Sequence, residues 1–237
     1  MRKFNRKNFE TRKILIQKNF VENSDGSCLI CFGKTKVICT AMIENDVPNW
    51  LKGKGTGWVT AEYGMLPGST SSRNRRESKV GKQTGRTTEI QRLIGRSLRS
   101  VIDLHSLSEK SIVVDCDVIQ ADGGTRTASI TGGFVALSLA IRKYTNLNKS
   151  IQNPIKDYIA AISCGIVKNE VLVDLDYSED SIAEVDANFV ITKKSGFSEV
   201  QATGEKNTFD KHKLLEMMEK VQLVSQKIFT IQKDALE

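Results

Sequence analysis

Apolar positions along the chain change period several times. Ser27–Phe32 and Lys36–Ile43 are apolar runs joined by Gly33-Lys34-Thr35, a hairpin pattern. Pro48–Tyr63 is glycine-rich around Gly53-Lys54-Gly55-Thr56-Gly57. It is neither a Walker A sequence nor a complete GxGxxG, and reads as a loop entering a short strand at Trp58–Ala61. Residues 64–86 are polar and rich in Gly, Ser and Arg with no apolar period, which predicts a long surface loop. About Thr88–His105 the period becomes helical: Ile90, Leu93, Ile94, Leu98, Val101 and Ile102 share one face, and Arg92, Arg96 and Arg99 share another. Glu89 falls in the first turn of that predicted helix, where the dipole favours an acid. Ile112–Ile119 alternates as a half-buried strand does, with Val114, Cys116 and Val118 against Asp115 and Asp117. Ile130–Tyr144 predicts an apolar helix whose Gly132-Gly133 permits close packing. Ile159–Val167 and Glu170–Tyr177 predict a second hairpin around Lys168-Asn169. A polar loop, Ser178–Glu184, precedes a strand at Val185–Thr192. The last long element, about Phe209–Ile231, is an amphipathic helix with Leu214, Met217, Met218, Val221, Val224 and Ile228 inward. This order predicts an α+β fold with mixed sheets, not a doubly wound nucleotide fold. No repeat or linker divides residues 1–237, so one domain is expected.

Composition adds limits. A chain of 237 residues, 39% hydrophobic with three prolines, can bury a sizeable core. No apolar run approaches the ~18–20 residues that span a bilayer. Met-Arg-Lys-Phe-Asn-Arg-Lys has no apolar segment behind it, so a cytoplasmic protein with no membrane partner is expected. The five cysteines lie mostly in apolar strand-like runs, which predicts reduced, buried thiols. Cys28-Leu29-Ile30-Cys31 lacks a second pair or nearby histidine and reads as core strand rather than a zinc site. The net charge is +7, and Arg73–Arg99 holds nine Lys or Arg against two acids, which equals the entire excess. Charge so concentrated predicts a polyanionic partner, with a solvated helix face as the competing explanation.

Two segments carry candidate chemistry. Asp122-Gly123-Gly124-Thr125-Arg126-Thr127-Ala128-Ser129 follows a predicted strand and precedes a predicted helix. Glycines let a turn present its N–H groups, the helix N-terminus adds positive potential, and Thr125 and Arg126 add a hydroxyl and a bidentate cation. Together they form a cradle for a phosphate-sized anion, although Asp-Gly-Gly is also an ordinary turn signal. Downstream, Asp174, Asp176, Glu179, Asp180, Glu184 and Asp186 place six carboxylates in thirteen residues. Hard oxygen donors at this density suit Mg²⁺ or Mn²⁺, with Asp180 in a loop and Asp186 opening a strand; spacing alone fits a solvated acidic turn as well. The two histidines, His105 and His212, both fall on predicted helices, which argues against a His-pair mechanism. Cradle, basic strip and cation site point together to phosphoryl transfer on a nucleic acid.

The runs Glu62-Tyr63-Gly64-Met65-Leu66-Pro67, Gly85-Arg86-Thr87, Glu89–Arg96, Asp115–Gly132, Asp174–Asn188 and Glu199-Val200-Gln201 resemble the bacterial ribonuclease PH family over about residues 10–235. The resemblance implies one RNase PH domain of ribosomal protein S5 domain 2-like fold. It implies a phosphorolytic 3′→5′ exoribonuclease that trims tRNA precursors and other RNA 3′ ends and releases nucleoside diphosphates. Inorganic phosphate would be held by Arg86, Gly124, Thr125 and Arg126, with Arg126 also catalytic. The catalytic and metal-binding aspartates would be Asp180 and Asp186. Arg73 and Arg76, with the helix arginines Arg92 and Arg96, would contact RNA, and the assembly would be a homohexamer, a trimer of dimers. Gly68 stands where the family often has Arg, and Ala202 where it often has Gly. A hydrolytic exoribonuclease and a non-catalytic RNA-binding ring subunit are the alternatives.

Overall fold

In this computed structural model, residue 2 and residues 5–148, 152–194 and 196–237 are described; Met1, Lys3 and Phe4 of the basic N-terminal run lie outside them. The first sheet contains β1 (Ile14–Lys18), β2 (Gly26–Phe32), β3 (Thr35–Glu44), β4 (Trp58–Met65) and β5 (Ser111–Gln120), in the order β1-β2-β3-β5-β4. All its pairings are antiparallel except β4 with β5. That parallel pair is joined by a crossover carrying the one-turn helix α1 (Glu77–Val80) and the long helix α2 (Gly85–Arg99). The second sheet contains β6 (Ile159–Val167), β7 (Glu170–Val173), β8 (Val185–Thr192) and β9 (Gly196–Gly204), in the antiparallel order β7-β6-β8-β9. A single turn, α4 (Tyr177–Asp180), lies between β7 and β8.

The helix α3 (Thr125–Leu147) runs between the sheets, against β2 and β3 on one side and β6 on the other. Fifteen of its 23 residues are buried, because it has no solvent face over most of its length. A Cβ on Gly132 would sit 2.6 Å from Ile30 and 2.9 Å from Cys39, so only glycine allows this helix to lie so close to the sheet. The C-terminal helix α5 (Lys211–Leu236) touches β1 and β6, and so belongs to the same layer. Its Gln232 donates to the carbonyls of Thr131 and Ile159, tying helix, helix and sheet together. The two sheets and the helices between them share one continuous apolar core.

The predicted hairpins, the strand at Val185–Thr192 and both long apolar helices are present. Several boundaries move for local reasons. The helix expected from Thr88 starts at Gly85, because the Thr84 hydroxyl accepts from the Thr87 N–H and caps it. It ends at Arg99 rather than His105: Ile102 bridges to Ile155, and His105 sits in a 3₁₀ turn. The strand at Trp58 runs on to Met65 by pairing along β5, shortening the expected loop, in which α1 also forms. The strand from Glu170 stops at Val173, since Asp174 turns into the left-handed region at φ 56°. Strands β1 and β9, edge strands of mixed composition, were not expected from the pattern. All five cysteines are free; Cys28 is fully buried in β2, as the core-strand reading of the CxxC spacing requires. Among the described residues no helix is long and apolar enough to cross a membrane.

Candidate active site

The Asp122–Thr125 turn links β5 to α3. Gly123 and Gly124 both have positive φ, 79° and 66°, and Gly124 caps α3 without any side-chain acceptor at its first turn. The turn is fixed from behind. Arg12 donates to the carbonyls of Asp122 and Gly123 at 2.5 and 3.3 Å, and the Thr35 hydroxyl donates to Gly123 at 2.7 Å while accepting from the Asp122 N–H at 2.9 Å. The buried Thr125 hydroxyl lies 2.9 Å from the Tyr63 phenol. Burial raises the Tyr63 pKa, so the phenol stays protonated. Arg126 donates to Glu89 at 3.1 Å and to Gln201 at 2.8 Å; Gln201 in turn donates to Glu89 at 3.1 Å. With α2 beginning at Gly85, Glu89 lies past the first turn and orients Arg126 instead of complementing the dipole.

Arg86 and Arg126 hold equivalent places. Each is the second residue of a long helix that has no acid in its first turn. A cation there opposes the helix dipole, typically by about 0.3–1 kcal/mol. Two helices that both accept this arrangement and aim at one region create strong positive potential where they meet.

The six clustered carboxylates separate into two groups. Asp174 is buried and receives the Arg12 guanidinium at 2.6 and 3.0 Å. Asp176 caps α4, and Glu179 completes the capping box. Glu179 also takes a two-pronged pair from Arg2 at 2.7 and 2.9 Å and a third bond from Arg6. Burial works against the Glu179 charge, but these hydrogen bonds and cations outweigh it and lower its pKa. Glu184 accepts from the Asn169 N–H. These acids are structural.

Asp180 and Asp186 differ. Asp180 ends α4 rather than lying in a loop; Asp186 is the second residue of β8, and both are half-buried. Burial raises both pKa values, and Asp186 is raised further by repulsion from Asp180; Glu205 adds negative potential to each. Arg86 and Arg126 act on both in the opposite sense. Among the described residues no three or more His, Cys, Asp or Glu side chains converge so that they could hold a metal ion. Two mutually repelling carboxylates nonetheless fit Mg²⁺, which is commonly held by one or two carboxylates and completes its shell with water and substrate phosphate oxygens.

The fold therefore brings Arg86, Gly124, Thr125, Arg126, Asp180 and Asp186 into one region from both sheets. Arg76 lines an adjoining cleft of about 600 Å³ with Tyr63, Arg86 and Asp117, and Arg73 is exposed just upstream. The other predicted RNA contacts lie apart: Arg92 and Arg96 are roughly 9 and 15 Å farther along the α2 axis than Arg86. Arg92 is exposed, while Arg96 forms a two-pronged pair with Glu199 at 2.8 Å. Arg99 is turned inward over the Trp58 ring, 4.2 Å from its centroid, and donates to the Val59 carbonyl. The strip of helix arginines is thus partly consumed within the chain. Arg12, Tyr63, Glu89 and Gln201 support the site but were not among the predicted site residues. No local pattern marks Arg12, whose principal partners, Asp122, Gly123 and Asp174, are more than 100 residues away.

Residues 10–143 match the 3′ exoribonuclease family, domain 1, and residues 157–220 match domain 2 of the same family. The chain belongs to this family, the RNase PH family, and has its mixed ribosomal S5 domain 2-like fold. Solved structures share that fold at low identity. Rice (Oryza sativa) Rrp46 is 17% identical with a TM-score of 0.81 over the whole of both chains. A chain of the Archaeoglobus fulgidus exosome with RNA bound to the active site is 20% identical, with a TM-score of 0.80 over 95% of this chain and 90% of that one. A chain of an archaeal exosome core is 20% identical, with a TM-score of 0.74 over 98% and 90%.

Proposed function

We propose that this chain is a phosphorolytic 3′→5′ exoribonuclease that trims the 3′ ends of tRNA precursors and other RNAs. One observation carries the proposal: Arg86 and Arg126, each at the start of a long helix, act together on Asp180 and Asp186, two half-buried carboxylates that have, among the described residues, no ion pair of the kind Asp174 and Glu179 have. Orthophosphate would sit between the arginines, with the Thr125 hydroxyl and the Gly124 N–H as further donors. These groups would hold it in line with the last phosphodiester, converting a bimolecular attack into an oriented one. A phosphate oxygen then forms a bond to the terminal phosphorus, the bond to the preceding ribose 3′-oxygen breaks, the proton carried by hydrogen phosphate passes to that oxygen to give the new 3′-hydroxyl, and the last nucleotide leaves as a nucleoside diphosphate. Arg126, steadied by Glu89 and Gln201, would face the charge that develops on the equatorial oxygens. Mg²⁺ or Mn²⁺ on Asp180 and Asp186 would supply Lewis-acid stabilisation of the transferring phosphoryl group. Arg73 and Arg76 would track the incoming strand; Arg92 and Arg96 would meet RNA farther along α2. The proposed assembly is a cytoplasmic homohexamer.

A second reading has support of its own. Among the solved structures that share this fold are rice Rrp46 and chains of archaeal exosomes, which favours an RNA-binding ring subunit over the bacterial enzyme. Against a purely structural ring subunit stands the complete set of two arginines, cradle and carboxylate pair. The experiment is incubation with 3′-extended, end-labelled tRNA with and without phosphate and Mg²⁺. Phosphate-dependent release of nucleoside diphosphates is expected. Monophosphates would establish a hydrolytic nuclease, and binding without product would establish the ring-subunit reading.

A further inference from the structure

Arg12 is among the most deeply committed charges in the molecule, with 5% of its surface exposed. Its backbone N–H and Nε both donate to Asp174 Oδ2, at 2.6 and 3.0 Å, and one terminal nitrogen donates to Oδ1 at 2.6 Å. The same guanidinium donates to the carbonyls of Asp122 and Gly123. Burial opposes its charge, but Asp174 outweighs burial and raises its pKa, so it remains a cation. One planar fork therefore joins two segments: the glycine turn of the first sheet, and the start of the Asp174–Asp180 segment that ends at a candidate metal ligand.

Both segments need such a constraint. In a planar trans peptide the carbonyl of one residue and the N–H of the next point opposite ways. Turning the carbonyls of Asp122 and Gly123 onto Arg12 directs the N–H groups of Gly123 and Gly124 away from it, leaving them for an anion on the far side. Asp174 holds φ 56°, a conformation that costs a non-glycine residue energy and persists only where surroundings over-determine it. Its carboxylate is fixed by Arg12, and Arg6 donates to its carbonyl at 2.9 Å. The segments also touch directly: a Cβ on Gly123 would be 2.6 Å from the Leu175 carbonyl oxygen.

We infer that Arg12 is a positioning residue that sets the distance between the phosphate cradle and the Asp180–Asp186 pair, without touching substrate. The inference rests on the phosphorolytic reading for the identity of the anion. A flexible Lys ammonium cannot reproduce the fork. In Arg12→Lys, orthophosphate affinity, read by ³¹P NMR titration in the absence of RNA, is expected to fall at least tenfold, with KM for phosphate raised to match and KM for RNA unchanged. Because breaking a buried pair also destabilises, the second variant is Arg12→Met/Asp174→Asn, which removes both charges of the pair, keeps an acceptor for the N–H at position 12 and a side chain that tolerates the left-handed backbone, and is expected to keep much of the wild-type Tm. Persistently weak phosphate binding in that folded double variant supports positioning. Recovery of wild-type phosphate affinity along with Tm would reduce Arg12 to a stabilising contact and overturn the inference, as would unchanged affinity in Arg12→Lys. Product identity with the wild-type protein tests the function separately: wild-type phosphate binding without diphosphate release defeats the catalytic reading and leaves the Arg12 comparison intact.

Discussion

Replacing Gly123 by alanine tests how tightly the site depends on the packing of one turn. Two costs follow from its geometry. Its φ of 79° is left-handed, worth about 1–2 kcal/mol against any L side chain. The new methyl would also meet backbone alone: Leu175 O at 2.6 Å, Asp176 C at 2.8 Å and Tyr177 N at 2.9 Å. Backbone cannot rotate aside, so overpacking adds about 1–3 kcal/mol. Gly55→Ala is the control, because Gly55 has φ 65° and nothing within 4 Å of an added Cβ. Both variants carry the conformational cost, and only Gly123→Ala carries the clash. For a chain of this size the clash lowers Tm by roughly 2–12 °C relative to the control. Restoring ordinary contact at 3.4 Å from the present 2.6 Å moves the turn about 0.8 Å from the Leu175–Tyr177 backbone. Displacements near 1 Å cost about a hundredfold in an oriented reaction, so phosphate-dependent trimming should fall by one to two orders of magnitude below Tm. Gly55→Ala should trim at the wild-type rate. If the two variants match in melting and in turnover, the packing of this turn against the Asp174–Asp180 segment does not set the site.

Arg126→Ala should lower kcat/KM for phosphate by about 10²–10³, as loss of a preorganised charge-stabilising donor does, with Tm nearly unchanged; equal turnover at saturating phosphate would remove Arg126 from the chemistry. Burial and Asp180 raise the Asp186 pKa, so its folded state holds the proton more tightly than the unfolded chain. Stability is then lost as pH climbs from the ordinary value of about 3.9 through the raised one, and the penalty is full once the pH lies above the raised value. Asp186→Asn should therefore raise Tm at pH 7 while abolishing any Mg²⁺-dependent gain; a lower Tm or an intact Mg²⁺ response contradicts this. Glu179 has the opposite sign: its pKa is lowered, so its stabilisation is present above about pH 4.3 and fades as pH falls through the lowered value. Urea unfolding between pH 3 and 5, on an approximate scale set by the ordinary Glu value, should show that loss in the wild type and a smaller one in Arg2→Ala, where Arg6 and the Asp176 N–H still hold the carboxylate. Arg96→Ala removes an exposed pair and should change stability by about 1 kcal/mol or less, so any larger loss of RNA affinity would assign this arginine to the RNA path.

Much of this architecture is legible in the chain because period and burial agree. β8 spans the residues its pattern indicates, and the inner faces of α2 and β5 carry the expected side chains. What escaped depends on distant partners. β1 buries Ile14 but exposes Leu15 and Lys18, and exists because β2 pairs with it. β9 is bounded by glycines and carries Glu199 and Gln201 on an edge; its pairing with β8 decides its state. Spacing exposed the acid cluster but could not rank its members. The ranking follows from Arg2, Arg6 and Arg12, which claim Asp174 and Glu179 from the far end of the sequence. The Asp176-x-x-Glu179 capping box was the one local sign that some of these acids serve the backbone. The Gly-Gly-Thr-Arg turn was visible since glycine, helix start and cation are neighbours in sequence.

The interior position of α3 has a consequence during synthesis. When Leu147 leaves the ribosome, the first sheet can cover one flank of this helix, but the strands and C-terminal helix that cover the other do not yet exist. At about 5–20 residues per second, the nascent chain waits roughly 4–18 seconds for residue 236. Through that interval an apolar flank with few charges lies open, and the cradle at its tip has no carboxylates opposite it. A chaperone that shields the half-made protein would thus act before the cradle faces its carboxylates, and a fully packed α3 would appear only with the last turns of α5.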